Sequence, residues 1–129
     1  MQNRQNAAGQ TRDRRLYPRF TAPERSLVAM SGDSSRLPYN LTDISEGGMA
    51  FLYLKDRPLF LAENHMDIYL DETLEIARLQ VVVIADIKHK NYSTLKRRCG
   101  VRFGEMTQTQ ILQLKTFITH HAATATLST

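Results

Sequence analysis

The sequence predicts a mainly β protein, a six-stranded antiparallel β-barrel with one C-terminal α-helix. Six strand-like segments follow one another at short spacing, and none is separated from the next by a helix that would allow a parallel crossover. A meander of antiparallel strands leaves two unpaired edges unless it closes on itself, so a small barrel is the simplest arrangement. The predicted strands cover residues 26–30, 39–43, 49–54, 66–70, 74–88 and 94–103.

Side-chain patterns within these segments justify the strands. Residues 66–70 alternate between apolar and polar positions, as expected for a half-buried strand. The longest candidate is 74–88, where four successive β-branched residues disfavour a helix and suit a pleated sheet. Strict alternation in this segment predicts Leu79 and Val81 on one face and Ile76 on the other.

The last predicted strand also alternates. Cys99 and every second residue after it form the core face, whereas Arg98 and Arg102 take the opposite face. Gly100 in the interior of this strand indicates a β-bulge or a sharp bend.

The C-terminal helix is predicted from its start signal and its period. Thr107 and Gln110 have the spacing of a capping box. Apolar side chains then recur at helical spacing. The positions on that face are Ile111, Leu114, Phe117, Ile118 and His121. The helix is predicted to end near His121, and the Ala/Thr-rich residues 122–129 are expected to form a disordered tail without a backbone partner.

The chain of 129 residues has room for one domain, predicted to span 14–121. Residues 1–13 are rich in Gln, Asn and Arg without apolar periodicity, and are expected to be a flexible arm. Pro18 and Pro23 disfavour a helix in residues 14–25, so this segment should be extended along the surface of the domain.

Charge is distributed unevenly along the chain. Residues 1–36 hold seven arginines, no lysine and three acidic residues, so the net charge of +4 arises entirely there. Arginine offers a planar fork that binds phosphate or guanine in a bidentate manner and stacks on flat rings. Two other interpretations stay open from the residues alone: a solvated basic tail, and a general nucleic-acid-binding arm.

Several function classes find no support in the residues. No apolar run approaches the roughly 20 residues of a membrane span, and the N-terminus lacks the apolar segment of a secretory signal. Cys99 is the single cysteine, so neither a disulfide framework nor a zinc finger can form, and a cytoplasmic location is expected. The four histidines lack neighbours at ligand spacing, and no catalytic triad or phosphate-binding loop can be assembled.

Two short motifs dominate the functional interpretation. Arg15 and Arg19 are four residues apart, and Asp43-x-Ser45-x-x-Gly48 follows the second predicted strand. These motifs resemble both halves of the PilZ domain signature, RxxxR and [D/N]xSxxG. Gly100-Val101-Arg102-Phe103 and the final helix are also similar to that family, so the resemblance covers residues 14–120.

The resemblance implies a non-catalytic receptor for cyclic di-GMP, which binds this ligand and needs no cofactor or metal. In this interpretation Arg15 and Arg19 bind guanine or phosphate, while Asp43 and Ser45 face guanine N–H donors. The predicted ligand-binding residues are Arg14, Arg15, Arg19, Asp43, Ser45, Gly47, Gly48 and Arg98. The two glycines are expected to permit positive φ and to leave room for a flat ring.

Other implications concern stoichiometry and signalling. A basic residue at Arg14 goes with an intercalated pair of ligands in the resembling family, whereas its absence goes with one molecule. Ligand-induced ordering of residues 14–25 would signal to an unknown downstream protein partner. The alternative is a PilZ-like adaptor that docks a protein without the nucleotide. Specific nucleic-acid binding is not expected. General nucleic-acid binding by the arginine-rich arm would show as an affinity for unrelated DNA or RNA that falls steeply with salt.

Overall fold

The structure is a computed structural model that describes residues 17–32, 38–54, 63–88, 96–122 and 127–128. Within these residues it contains eight strands, one α-helix and a π-helical turn. The strands are β1 (Arg19–Thr21), β2 (Ser26–Met30), β3 (Tyr39–Ile44), β4 (Gly48–Leu54), β5 (Glu63–Leu70), β6 (Thr73–Lys88), β7 (Lys96–Phe103) and β8 (Leu127–Ser128). The helix α1 covers Gln108–Phe117, and the π-helical turn covers Ile118–Ala122.

Six of the strands close into an antiparallel barrel, as the sequence predicts. Hydrogen-bonded neighbours run in the order β2-β5-β6-β7-β4-β3, and an additional pairing of β2 with β3 completes the circle. Closure removes the exposed strand edges of the meander. β1 lies outside the circle, paired with β3 on one side and with β8 on the other.

The barrel interior is apolar, and the alternation predicted from the sequence locates much of it. Met49, Phe51 and Tyr53 of β4 are buried together, as are Cys99, Val101 and Phe103 of β7. Leu114 and Phe117 of α1 are each only 1% exposed, so the helix covers part of the same core. Burial of this apolar surface is the main source of stability for a fold of this size.

β-Bulges break the strict alternation that the sequence suggests for β6. Ile76 pairs with Ile68 and Leu79 with Met66, which leaves one extra residue on β6 between the two pairs. Arg78 within the bulge has φ +59°, and its N–H donates to the Asp67 carboxylate at 2.8 Å. The prediction that Ile76 and Leu79 face opposite sides is therefore wrong, since the bulge turns both into the core.

Another bulge of β6 lies opposite Gly100. Val83 pairs with Val101 and Ala85 with Gly100, so Ile84 is the extra residue. The irregularity predicted at Gly100 exists, but its extra residue is on the partner strand. Ile84 is pushed outward and is 65% exposed.

The helix begins as its capping box predicts. The Thr107 hydroxyl accepts from Gln110 N at 3.0 Å, and the Gln110 side chain accepts from Thr107 N at 2.9 Å. Gln110 Nε2 also donates to the carbonyls of Ala77 and Arg78 at 2.9 Å, which attaches the helix to the first bulge of β6. Regular α-helix ends at Phe117, and the π-helical turn carries the chain to the buried Ala122.

Within the part of the chain that the structure describes, no helix is long and apolar enough to cross a membrane.

Both chain ends bear on the sequence predictions. Residues 1–16, which include the predicted arm, Arg14 and Arg15, lie outside the described residues. The extended conformation predicted for 14–25 is present at Arg19–Thr21, which forms β1. At the other end, Leu127 and Ser128 pair with β1, so the expectation of no backbone partner does not hold at these two residues.

Candidate functional site

A cavity of about 500 Å³ lies on the outer face of the barrel, against β3, β4, β6 and β7. Tyr17 and Arg19 line it from the N-terminal segment. Six of the eight predicted ligand-binding residues border this cavity, namely Arg19, Asp43, Ser45, Gly47, Gly48 and Arg98. The two motif segments therefore meet in space, as the sequence analysis requires.

Backbone pairing holds the two segments together. Phe20 pairs with Ile44 and Thr21 with Asp43, so β1 continues the sheet beyond β3. Ala22 N adds a hydrogen bond to the Thr42 carbonyl at 2.8 Å. Phe20 is partly buried against the core, which anchors the segment that bears Arg19.

The aromatic ring of Tyr17 lies over the turn that joins β3 to β4. A Cβ added to Gly47 would lie only 2.9 Å from Tyr17 Cδ2 and 3.2 Å from Cε2. Glycine is therefore favoured at position 47, because the ring of Tyr17 occupies the space of a side chain. Tyr17 packs on Gly47 while 44% of its surface stays exposed.

A bulge in β3 turns Asp43 toward the cavity. Leu41 pairs with Phe51 and Asp43 with Ala50, which leaves Thr42 as the extra residue. The Thr42 hydroxyl donates to the Ala50 carbonyl at 3.0 Å and stabilises this irregularity. Without the extra residue, Asp43 would share the inward face of Leu41.

Asp43 forms an ion pair with Arg98 of β7. Arg98 Nη2 donates to Asp43 Oδ2, and the two side chains are 34% and 18% exposed, respectively. Both residues line the cavity. The face predicted for Arg98, away from the core, is confirmed, and the carboxylate that meets it is 55 residues earlier in the chain.

The Ser45 hydroxyl forms its hydrogen bonds within the turn between β3 and β4. Its hydroxyl accepts from the N–H groups of Gly47 and Gly48 at 3.1 Å each, and donates to the Gly48 carbonyl at 3.3 Å. A hydroxyl has one donor and two acceptor sites, so all three are engaged. Ser45 is only 8% exposed, and its geometry is that of a residue that shapes the loop between β3 and β4.

Gly47 and Gly48 are explained by close packing and not by the positive φ that the sequence predicted. Gly32 is the only glycine among the described residues with positive φ, so neither motif glycine uses that freedom. A Cβ on Gly48 would lie 2.3 Å from the Val101 carbonyl oxygen and 3.1 Å from Arg102 Cα. Glycine is therefore required at position 48 because the backbone of β7 occupies the space of a Cβ. Room for a flat ring against Gly48, which lines the cavity, stays a prediction.

Arg19 has an unusual environment at the edge of the cavity. Its Nε is buried, and it has no hydrogen-bond partner among the described residues. A buried N–H without an acceptor loses its hydration and gains nothing in return, which costs about 1–3 kcal/mol. Such a group is suited to an acceptor that arrives with a ligand.

Comparison with known proteins adds the family. A family model described as PilZ domain matches residues 13–120. The chain belongs to the PilZ domain family.

Several solved structures share the fold. The PilZ domain of YcgR from Escherichia coli with c-di-GMP has a TM-score of 0.60 and 20% identity, over 82% of this chain and 89% of that one. The MrkH–c-di-GMP complex of K. pneumonia has a TM-score of 0.65 and 19% identity, over 82% and 51%. The inhibitor of motility MotI/DgrA of Bacillus subtilis has a TM-score of 0.58 and 19% identity, over 84% and 53%. The chain thus spans about half of the MrkH and MotI chains; comparison with curated protein sequences found no match.

The PilZ cavity also has residues that sequence reasoning did not assign to it. The row Ala50, Gly100 and Ala85 crosses β4, β7 and β6 beneath it, and Ile84 borders it. Arg102, which the sequence placed on the same outward face as Arg98, borders it as well. Small outward residues on adjacent strands could have signalled a shallow surface. Ile84 could not have been found from alternation, because its exposure depends on the bulge.

Outside the cavity, the PilZ barrel holds a polar cluster on β4, β6 and β7. Arg97 Nε donates to Asp86 Oδ1 at 3.0 Å, and the Tyr53 hydroxyl donates to Asp86 Oδ2 at 2.5 Å. The hydrogen bond to Asp86 raises the pKa of Arg97, which stays a cation. Burial raises the pKa of the Cys99 thiol to about 12, with a further contribution from the Asp86 charge. Among the described residues, no three His, Cys, Asp or Glu side chains come together as a metal site.

Proposed function

We propose that this PilZ domain is a non-catalytic receptor for cyclic di-GMP and binds it in the cavity between β1 and the outer face of the barrel. The observation that carries the proposal is the convergence of both motif segments on one cavity, in which Arg19 Nε is buried and has no hydrogen-bond partner among the described residues. The names of the YcgR and MrkH structures include c-di-GMP as their ligand.

The chemistry of the ligand fits the cavity. Cyclic di-GMP has two phosphodiester anions and two guanines, and each guanine presents O6 and N7 as paired acceptors. Arg19, Arg98 and Arg102 border the cavity and are cations of the kind that binds such groups. Asp43 offers a carboxylate to the N–H donors of guanine.

Residues outside the described part of the chain complete the proposal. Arg15 supplies a second fork four residues before Arg19, and Arg14 favours an intercalated pair of ligands over one molecule. Ligand binding completes the docking of residues 14–25, part of which already pairs with β3 as β1, within the domain at 14–121. The changed surface then signals to a downstream protein partner in the cytoplasm. Residues 1–13 then act as a flexible arm.

The decisive experiment is calorimetric titration of the full chain with cyclic di-GMP. Arg19→Ala is expected to weaken binding by about 2 kcal/mol, roughly thirty-fold, because charged hydrogen-bond partners lose their donor. Arg15→Ala should weaken it similarly. Arg25→Ala is the matched control, since it removes the same charge from an exposed residue that pairs with Asp71 and does not line the cavity.

The same titration distinguishes the alternatives. Normal binding by both Arg15→Ala and Arg19→Ala would contradict the site, and absence of binding by the wild-type chain would favour the adaptor that needs no nucleotide. Competition by GTP, GMP or DNA as strong as that by unlabelled cyclic di-GMP would favour a general anion or nucleic-acid binder. The number of ligands bound per chain tests the role of Arg14. Two ligands per chain would support the intercalated pair, and one would contradict it.

A further inference from the structure

Asp43 and Arg98 form a bridge over β4. Asp43 pairs with Ala50 on one side of that strand, whereas Arg98 pairs with Leu52 on the other side. The small side chain of Ala50 leaves space for the long side chain of Arg98 to reach β3. The bridge borders the cavity, and its two ends are partly buried.

The bridge fixes a group that would otherwise rotate. The terminal torsion of an aspartate is broad and roughly two-fold, so a free carboxylate samples many orientations. In this chain Arg98 holds Asp43 Oδ2, while the hydrogen bonds found among the described residues leave the lone pairs of Oδ1 available. A binding group that is oriented in advance loses less entropy when the ligand arrives.

Orientation of this carboxylate bears on base identity. The Watson–Crick edge of guanine presents an imino N1–H and an exocyclic 2-amino group as donors, and adenine has neither at those positions. A site built to accept hydrogen bonds from a ligand rejects the analogue that lacks them, because the acceptor is then left unpaired.

We propose that Arg98 is a positioning residue that sets the selectivity for guanine over adenine by holding Asp43 in its accepting orientation. The inference rests on the proposed function and deepens it. It separates two roles for arginine in one cavity: Arg19 offers its donors to the ligand, whereas Arg98 acts through Asp43.

The test compares dissociation constants for cyclic di-GMP and cyclic di-AMP in the full chain. The selectivity ratio, cyclic di-AMP over cyclic di-GMP, is expected to fall at least ten-fold in Arg98→Gln, mainly through weaker cyclic di-GMP binding. Arg98→Lys should retain part of the ratio, because a cation remains beside Asp43. Arg102→Gln is the matched control: Arg102 is on the same strand, face and cavity, so both dissociation constants should rise together and leave the ratio unchanged.

Two further variants make the outcome decisive. Asp43→Ala, which removes the acceptor, should lower the ratio as much as Arg98→Gln does, and the double variant should lower it no further. The inference is overturned if Arg98→Gln changes the ratio no more than Arg102→Gln while the wild-type chain binds cyclic di-GMP, or if the two single effects simply add. If circular dichroism shows that Arg98→Gln does not fold, the ratios of Asp43→Ala and Arg98→Lys decide the question. A wild-type chain that does not bind cyclic di-GMP overturns the proposed function and the inference together.

Discussion

Gly48 shows at the scale of one residue how a motif position is fixed by packing. An added Cβ would lie 2.3 Å from the Val101 carbonyl oxygen, and this neighbour is backbone of a central strand that cannot swing away. Gly48→Ala is therefore expected to destabilise the protein by about 3 kcal/mol, in the range of overpacked cores, as measured by urea unfolding.

Gly100 provides the control for this prediction, since it borders the same cavity on the neighbouring strand. A Cβ there would meet only Ala85 Cβ and Ile84 Cγ1, both at 3.9 Å, which is ordinary contact. Gly100→Ala should change the free energy of unfolding much less than Gly48→Ala. Equal losses in the two variants would show that the contact with β7 is not what excludes a side chain at Gly48.

The same residues mark the limit of sequence reasoning. Motif spacing predicted that Asp43 and Gly48 belong to the site region, and both line the cavity. Motif spacing could not reveal that the Ser45 hydroxyl forms all three of its hydrogen bonds within its own turn. Nor could it reveal that Asp43 pairs with Arg98, which is 55 residues later in the chain. These facts depend on how β3, β4 and β7 lie side by side, which no local pattern encodes.

At the scale of elements, the sequence could predict which segments form strands, but not which residues of each strand face the core. Six apolar segments at short spacing sufficed for a closed antiparallel barrel. Bulges at Thr42, near Arg78 and at Ile84 then change which residues face the core. A run of β-branched residues has no signal for such an extra residue, because either face of the strand is apolar. The bulges at Thr42 and Ile84 shape the cavity by turning Asp43 and Ile84 toward it.

The start of α1 permits a direct test of a local signal. Thr107→Ala removes the side-chain acceptor of the capping box and should cost about 1 kcal/mol of stability, measured by urea unfolding. The helix should persist, because Gln110 Nε2 still bonds to the carbonyls of Ala77 and Arg78. Thr109→Ala is the control, since this exposed position lies inside the helix, where alanine is favoured. A loss as large in Thr109→Ala would mean that the cap is not the cause.

At the scale of the whole molecule, β1 joins the chain ends to the barrel. It pairs with β3 next to the cavity and with β8 near the C-terminus, and it contains Arg19. The sequence indicated an extended basic segment but not its pairing with residues more than a hundred positions later. Strand pairing at such separation depends on the arrangement of the whole chain, so it cannot be deduced from the two segments alone.

Opening of the barrel can be measured through the chemical labelling of Cys99. It is the single cysteine of the chain, it is fully buried, and burial raises the pKa of its thiol to about 12. Because the thiolate is the reactive form, a thiol reagent at pH 8 should label Cys99 only when the barrel opens. The raised pKa also means that this group lowers stability as pH rises from about 9 toward about 12, and has no such effect below about 9.

The rate of Cys99 labelling should also depend on ligand binding, because a ligand stabilises the folded structure that binds it. If opening of β7 also destroys the cavity, cyclic di-GMP at 100 times its dissociation constant should slow labelling of Cys99 about 100-fold. The urea-denatured chain, in which Cys99 is exposed, is the control and should react rapidly with and without ligand. Rapid labelling of the folded chain would contradict the burial of Cys99. Slow labelling that saturating ligand leaves unchanged would show that the cavity and the β7 core open independently, because a ligand stabilises only those structures that its binding requires.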